Sequence, residues 1–273
     1  MEFALSTHLF VNERLSPHIL DHILTAGFRT VELFAARQHF DYHDPHHVAD
    51  IGQWFRDHEL SLHSLHAPLY SDADWGRSGG LELSVASLER RHRIDSMEEI
   101  KRAIAVAEKF PFRYLILHMG LPGEEFEVEK FDAAFTSLEH LNIFAKDLGV
   151  TILLENIPSG LTAPDRLLQF IRYTRMDLGI CFDTGHAQMT GGVHAAFEVL
   201  KDHIASTHVH DNRGEKDDHL VPFEGTIDWS ATVRDFRSAG NRFPILFELR
   251  SYEPPMTILS RLGQVRERLE AIQ

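Results

Sequence analysis

The chain holds one cysteine, Cys181, among 273 residues. A single thiol closes no intrachain disulfide, so the disulfide-stapled scaffolds are excluded and a reducing, cytoplasmic setting is expected. Runs of basic residues are missing too. With 27 Lys and Arg against 41 Asp and Glu, the formal charge is -14. That disfavours a nonspecific polyanion binder and leaves room only for a local basic patch. No apolar stretch approaches the roughly 20 residues of a membrane helix, so no membrane partner is expected. The opening MEFALSTHLF lacks the charged region, apolar run and small-residue site of a signal peptide. No linker rich in Pro, Gly or Ser splits the chain, so residues 1–273 are expected to form one domain. No G-x-G-x-x-G follows the first apolar run, which weakens a dinucleotide site. Two things are plentiful. Hydrophobic residues make up 43%, enough for a large core, and there are 19 histidines. Histidine is the commonest transition-metal ligand and the usual acid-base group near neutral pH.

A pattern repeats along the chain. A short apolar run ends in a polar residue, and an amphipathic stretch follows. The runs are Phe3 to Thr7, Thr30 to Phe34, Leu60 to His66, Arg113 to His118, Val150 to Glu155, Leu178 to Asp183, Ser206 to His210 and Phe243 to Glu248. Several are almost continuously apolar (YLIL, VTILL, FPILF), as in parallel strands buried on both faces. The clearest helix is Ser96 to Lys109, where Ser96 and Glu99 make an S-x-x-E capping box. Phe131 to Leu148 reads the same way, with Phe135, Leu138 and Leu141 inward. Gly27, Gly149 and Gly240 stand where helices should stop before strands. Eight strand-helix units in this length predict an α/β fold, a single (β/α)8 TIM barrel.

In such a barrel the site lies at the C-terminal strand ends. Those ends carry His66, His118, Glu155, Asp183 with His186 one turn on, His208-Val209-His210, and Glu248. Asp217-Asp218-His219 lies in a polar loop between the last two runs. Any one strand-end histidine is more often a hydrogen-bonded structural group, and a buried acid usually finds Arg or Lys. Here the runs offer almost no basic residue besides Arg250. So many uncompensated acids and imidazoles predict a ring of ligands for Zn, Mn, Fe or Co. His8, His39, His43, His46 and His47 stay unassigned, and the last four read as mostly solvated. Cys181 shares a strand face with Asp183 and reads as a buried structural thiol.

The ordered series VELFA (Val31 to Ala35), LHAP (Leu65 to Pro68), LHMG (Leu117 to Gly120), LLEN (Leu153 to Asn156), CFDTGHA (Cys181 to Ala187), HVHDN (His208 to Asn212), DDHLVPFEGTIDW (Asp217 to Trp229) and FELR (Phe247 to Arg250) resembles the xylose isomerase-like barrel superfamily. That superfamily also contains endonuclease IV-type apurinic endonucleases. The resemblance covers essentially the whole chain. It implies that a sugar isomerase or epimerase would hold one metal through Glu155, Asp183, His208 and Glu248. An endonuclease would hold three zinc ions by adding His66, His118, His186, Asp217 and His219. His210 competes with His208, one of the two being expected to point inward. His208 is preferred for its spacing to Asp211.

Two mechanisms follow. In the preferred one, a divalent metal (Zn, Mn or Co, one to three per chain) stabilises an enediolate in a sugar or sugar phosphate. Glu155 and Glu248 remove and return the proton, and His186 assists. Arg250 reaches a carboxylate or phosphate, and His210, Phe34 and Trp75 contact substrate, with Tyr70 in the same apolar wall. The alternative is a trinuclear-zinc phosphodiesterase acting on abasic DNA, with Glu155 bridging two metals. Nucleic acid is a partner only there, and the cations on offer are Arg37, Arg77, Arg90, Arg91, Arg93 and Arg213. The preference rests on the missing basic track, the short loop from Asn212 to Asp217, and the ELFA and HAP context. A non-catalytic metal-dependent binding protein is a third class, disfavoured because no ligand is lost.

Overall fold

The computed structural model describes residues 1–240 and 242–273. Eight parallel strands pair in the order β7-β6-β5-β4-β3-β2-β1-β8. They are β1 (Phe3–Ser6), β2 (Thr30–Phe34), β3 (Ser61–His66), β4 (Tyr114–Leu117), β5 (Thr151–Glu155), β6 (Leu178–Asp183), β7 (Ile204–His208) and β8 (Ile245–Phe247). The two edge strands meet just beyond β7. Val209 N donates to Leu246 O (2.8 Å) and Glu248 N to Val209 O (3.3 Å), which nearly closes the barrel. Between the strands run α1 (Pro17–Thr25), α2 (Pro45–Asp57), α3 (Arg90–Ile104), α4 (Val128–Asp147), α5 (Pro164–Thr174), α6 (Thr184–Met189), α7 (Val193–Leu200) and α8 (Trp229–Ser238), and α9 (Pro255–Ala271) follows β8. No described helix is long and apolar enough to cross a membrane.

The continuous apolar runs fit this wall because both of their faces are covered. Leu33, Leu115, Leu117, Ile152, Leu154 and Phe182 belong to the main core against the helices. The alternate residues Tyr114, Ile116, Leu153 and Cys181 form a small separate plug. Cys181 is therefore a buried thiol, and burial pushes its pKa up. A register shift between β2 and β3 sets Glu32 opposite Ser64 and Phe34 opposite His66.

Gly27, Gly149 and Gly240 take φ of 86°, 74° and 76° at helix ends, the left-handed region expected of them. The S-x-x-E capping box is corrected: α3 starts at Arg90 and Ser96 lies inside it. Tertiary partners claim both side chains instead. Ser96 Oγ accepts from Ser84 N, and Glu99 accepts from Tyr42 Oη (2.6 Å) while pairing with His43 (2.7 Å) and Arg102 (2.5 Å). The solvated reading of the His39 to His47 segment is corrected for two members. His39 Nδ1 sits 2.6 Å from Glu13 O and His47 Nε2 2.8 Å from Leu15 O, both rings being buried. They tie the segment after β2 to the loop before α1 and do not line the central cavity.

Candidate metal centre and active site

The polar residues at the ends of β3 to β8 enter one cluster, centred on Glu155 at the end of β5. Its Oε2 lies 3.2 Å from His118 Nε2, 3.5 Å from His66 Nε2 and 3.3 Å from His208 Nδ1. Its Oε1 lies 3.1 Å from His186 Nδ1. Glu248 Oε2 stands 3.3 Å from His208 Nδ1 and 3.7 Å from His219 Nδ1. Asp217 Oδ2 stands 2.9 Å from His219 Nε2 and 3.5 Å from His186 Nε2. Asp183 Oδ1 accepts from His186 N (2.6 Å), which caps α6 and fixes the carboxylate. All nine anticipated ligand positions thus fall in one network.

Ligand atoms within 4.8 Å of one another form overlapping sets, among them Glu155-Asp183-His208-Glu248 and His66-His118-Glu155. His186 Nδ1, His208 Nδ1 and Asp217 Oδ1 are buried without a hydrogen-bond partner. Buried polar atoms are normally satisfied, so three orphans facing carboxylates and imidazoles fit a divalent cation. The nitrogen and oxygen donors suit Zn, Mn or Co.

The charge balance agrees. Burial alone would raise the Glu155 carboxyl, yet His208 and His118 hold it well below the usual range. Burial would lower His186, and Asp183 and Asp217 instead lift it well above its ordinary value. His219, equally buried, is pulled up to about 9 by Asp217. Asp217 in turn falls below the carboxylate range, because the charges of His219 and His186 outweigh its burial. The imidazoles hold protons where a cation would otherwise balance the acids.

The idea that only one of His208 and His210 points inward is corrected. Residues two apart on a strand share a face, and both rings reach Asp183 Oδ2, at 4.0 Å and 3.1 Å. His210 is fully buried and stacks on His219 (4.0 Å, 17°). It lies behind the cavity lining rather than in it.

Asp211 organises the next loop. Its carboxylate accepts from Asn212 N (2.9 Å), Phe223 N (3.0 Å), Ile227 N (3.1 Å) and Trp229 Nε1 (2.8 Å). Asp211 and Leu220 also form an antiparallel bridge, which folds Asp217 and His219 back over the site. His219 takes φ of 49°, a left-handed conformation a non-glycine residue adopts only when its surroundings impose it.

The cluster opens into a cavity of about 730 Å³, counting the part open to solvent. Phe34 stacks on His66 (4.5 Å, 25°), and Trp75 meets Phe34 edge-on (5.9 Å). Tyr70 is corrected: it packs beside Gly76, donates to Glu82 and does not line the cavity. Arg250 is the one Lys or Arg on the lining. Most of the arginines on offer for a nucleic-acid track already have partners. Arg37 holds Ser71 O, Arg77 holds Asn12, Arg91 holds Asp95, Arg93 holds Ser87 O, and Arg213 faces Asp218.

Sequence reasoning missed three contributors. His8, just past β1, lines the cavity between Phe34 and His219. Asn156 clamps the Asp183 backbone at both its N–H and its C=O. Glu32 sits 3.2 Å from His208 Nε2. A charge inside the apolar run VELF was the available signal for Glu32.

The model of the xylose isomerase-like TIM barrel family matches residues 20–273. The protein y4fM of Sinorhizobium fredii is 30% identical over 189 residues, 65% of this chain and 55% of that protein. A probable endonuclease 4 of Mycoplasmopsis pulmonis is 28% identical over 153 residues, 50% of this chain and 54% of that protein. The chain thus spans about half the length of these two relatives. Among solved structures, a D-tagatose 3-epimerase-like protein is 25% identical, with a TM-score of 0.79, covering 100% of this chain and 98% of that one.

Proposed function

The chain belongs to the xylose isomerase-like TIM barrel family, and from that premise we propose that it is a divalent-metal-dependent isomerase or epimerase of a sugar or sugar phosphate. The observation that carries this is the convergence of two cavity-lining glutamates. Glu155 and Glu248 each approach His208 Nδ1 to 3.3 Å from non-adjacent strands, with Asp183 completing the set.

Glu155, Asp183, His208 and Glu248 would hold the metal, which polarises a carbonyl and supplies fixed positive charge. Glu155 takes a proton from a carbon beside the carbonyl, and Glu248 returns one from the other side. His186, between Asp183 and Asp217, steadies a substrate hydroxyl. Phe34 and Trp75 shield the reacting carbon from water, which strengthens every charge interaction inside. Arg250, with no acidic partner among the described residues, faces an anionic substituent of the substrate.

The second reading is a three-zinc phosphodiesterase on abasic DNA. What favours it is the full nine-position set, with His66-His118-Glu155 beside the four-ligand group and His186, Asp217 and His219 beyond. The committed arginines favour the isomerase.

Elemental analysis of protein never exposed to chelator separates the two. About one ion per chain, with deuterium from solvent entering a ketose or its phosphate, supports the isomerase. About three zinc ions with cleavage of an abasic duplex would overturn it. Glu155→Ala is expected to abolish metal binding and turnover under either reading. Full metal content in that variant would refute the site.

A further inference from the structure

We propose that Glu32 is a positioning residue that locks the His208 ring so that Nδ1 faces the metal, an inference that rests on the metal-dependent reading above. Glu32 lies in the middle of β2 and is fully buried. Both of its carboxylate oxygens lie 3.2 Å from His208 Nε2. Ser64 Oγ donates to Oε2 at 2.7 Å. Among the described residues no Lys or Arg pairs with it, and His208 is its ion-pair partner.

An ionised carboxylate only accepts hydrogen bonds, so His208 Nε2 carries the hydrogen. The remaining ring nitrogen, Nδ1, is then the one free to ligate. It is buried, has no hydrogen-bond partner, and looks onto Glu155 and Glu248 at 3.3 Å each. The ring is gripped from below by one carboxylate and presented to two others above. A metal-ligating histidine commonly hands its second N–H to a carboxylate, which fixes ring orientation and raises ligand basicity.

The surroundings are built for this contact. The register shift after Val31 sets Ser64, rather than His63, opposite Glu32. Glu32 and His208 come from strands that do not pair with each other and meet across the barrel interior. A buried carboxylate is expensive, and an apolar residue would fill the same inward position at lower cost. Its presence is explained if it sets the tautomer of a ligand.

The test is a zinc titration against a fluorescent chelator, run on wild type, Glu32→Gln, Glu32→Ala and Ser64→Ala. Circular dichroism and thermal unfolding of the metal-free proteins verify the fold. Glu32→Ala is expected to weaken zinc binding about 10- to 100-fold. Glu32→Gln should fall between it and wild type, because its carbonyl oxygen still accepts from Nε2–H. In zinc-loaded wild type, imidazole NMR should show a slowly exchanging His208 Nε2–H that the alanine variant loses. A purely structural Glu32 would lower thermal stability and leave the zinc affinity of folded protein unchanged. Affinities of both Glu32 variants within about threefold of wild type would overturn the proposal, and Glu32→Gln alone decides it if the alanine variant does not fold. If wild type binds no zinc, manganese or cobalt, the metal-dependent reading itself is overturned, a result distinct from equal binding by wild type and variants.

Discussion

Gly185→Ala puts the placement of His210 to a sharp test, because two physical effects there oppose each other. Gly185 is the second residue of α6, and its φ is not among the positive ones. Helix propensity alone would make alanine more stable by up to about 1 kcal/mol. A Cβ at this position, however, would lie 2.0 Å from His210 Cε1, 2.5 Å from Nδ1 and 2.7 Å from Nε2. Ordinary contact needs about 3.5 Å, so the ring would have to retreat by roughly 1.5 Å. It has nowhere to go. His219 is stacked against it at 4.0 Å, Asp183 holds Nε2 at 3.1 Å, and the side chain is fully buried. Overpacking of this kind costs about 1–3 kcal/mol, and a weakened bond to Asp183 adds about 1.5–3 kcal/mol. Less the propensity gain, the net expectation is a loss of roughly 1.5–6 kcal/mol. Urea unfolding of the metal-free protein at pH 7 reads it as a lower midpoint at constant m-value. In a His210→Ala background the same glycine substitution should be far less harmful, a coupling of at least about 1.5 kcal/mol. A Gly185→Ala protein as stable as wild type, or more so, would mean that His210 does not point into the site.

The metal-free protein should also lose stability as the solution becomes alkaline. His219 holds its proton up to about 9 in the fold against an ordinary value of 6.5, so its contribution is full below 6.5 and vanishes as the pH rises through 9. The shift is worth about 3 kcal/mol, and His186 and His208, also raised, act in the same direction. Thermal unfolding with chelator at both ends of that window checks it; a Tm that holds or climbs refutes the charge balance. Asp211→Asn should free the loop that carries Asp217 and His219, since an amide sets its own donors against three backbone N–H groups and the Trp229 indole. A loss of about 2–3 kcal/mol, with faster proteolysis between residues 212 and 228, is expected. Unchanged protection of that loop would show that Asp211 is not its organiser.

The ring of polar residues at the barrel mouth was legible because two rules act on the same residues. A buried parallel strand must be apolar on both faces, so the polar residue that ends the run stands out. In a barrel that residue sits at the mouth. His118, Glu155, Asp183 and Glu248 obey both rules, whereas His66 obeys only the second, its run being broken by Ser61, His63 and Ser64. The capping box failed for the opposite reason: S-x-x-E is a local pattern, and nothing local reveals that Glu99 is engaged by Tyr42 and His43 from the neighbouring segment. His39 and His47 were hidden in the same way, their partners being loop carbonyls with no periodicity to betray them. Asp211 and Asn156 act on backbone groups of other segments, which no spacing encodes. Glu32 is the instructive case, since it was visible and still unread. A carboxylate in the middle of VELF cannot be left unpaired in a barrel interior. Its partner therefore had to be another inward ionisable group. His208 is 176 residues away along the chain and comes from a strand that does not pair with β2. Only closure of the barrel brings the two together. An ionisable residue inside an apolar strand is thus a question posed locally, and the answer lies across the barrel, in the ring nitrogen of a strand-end histidine.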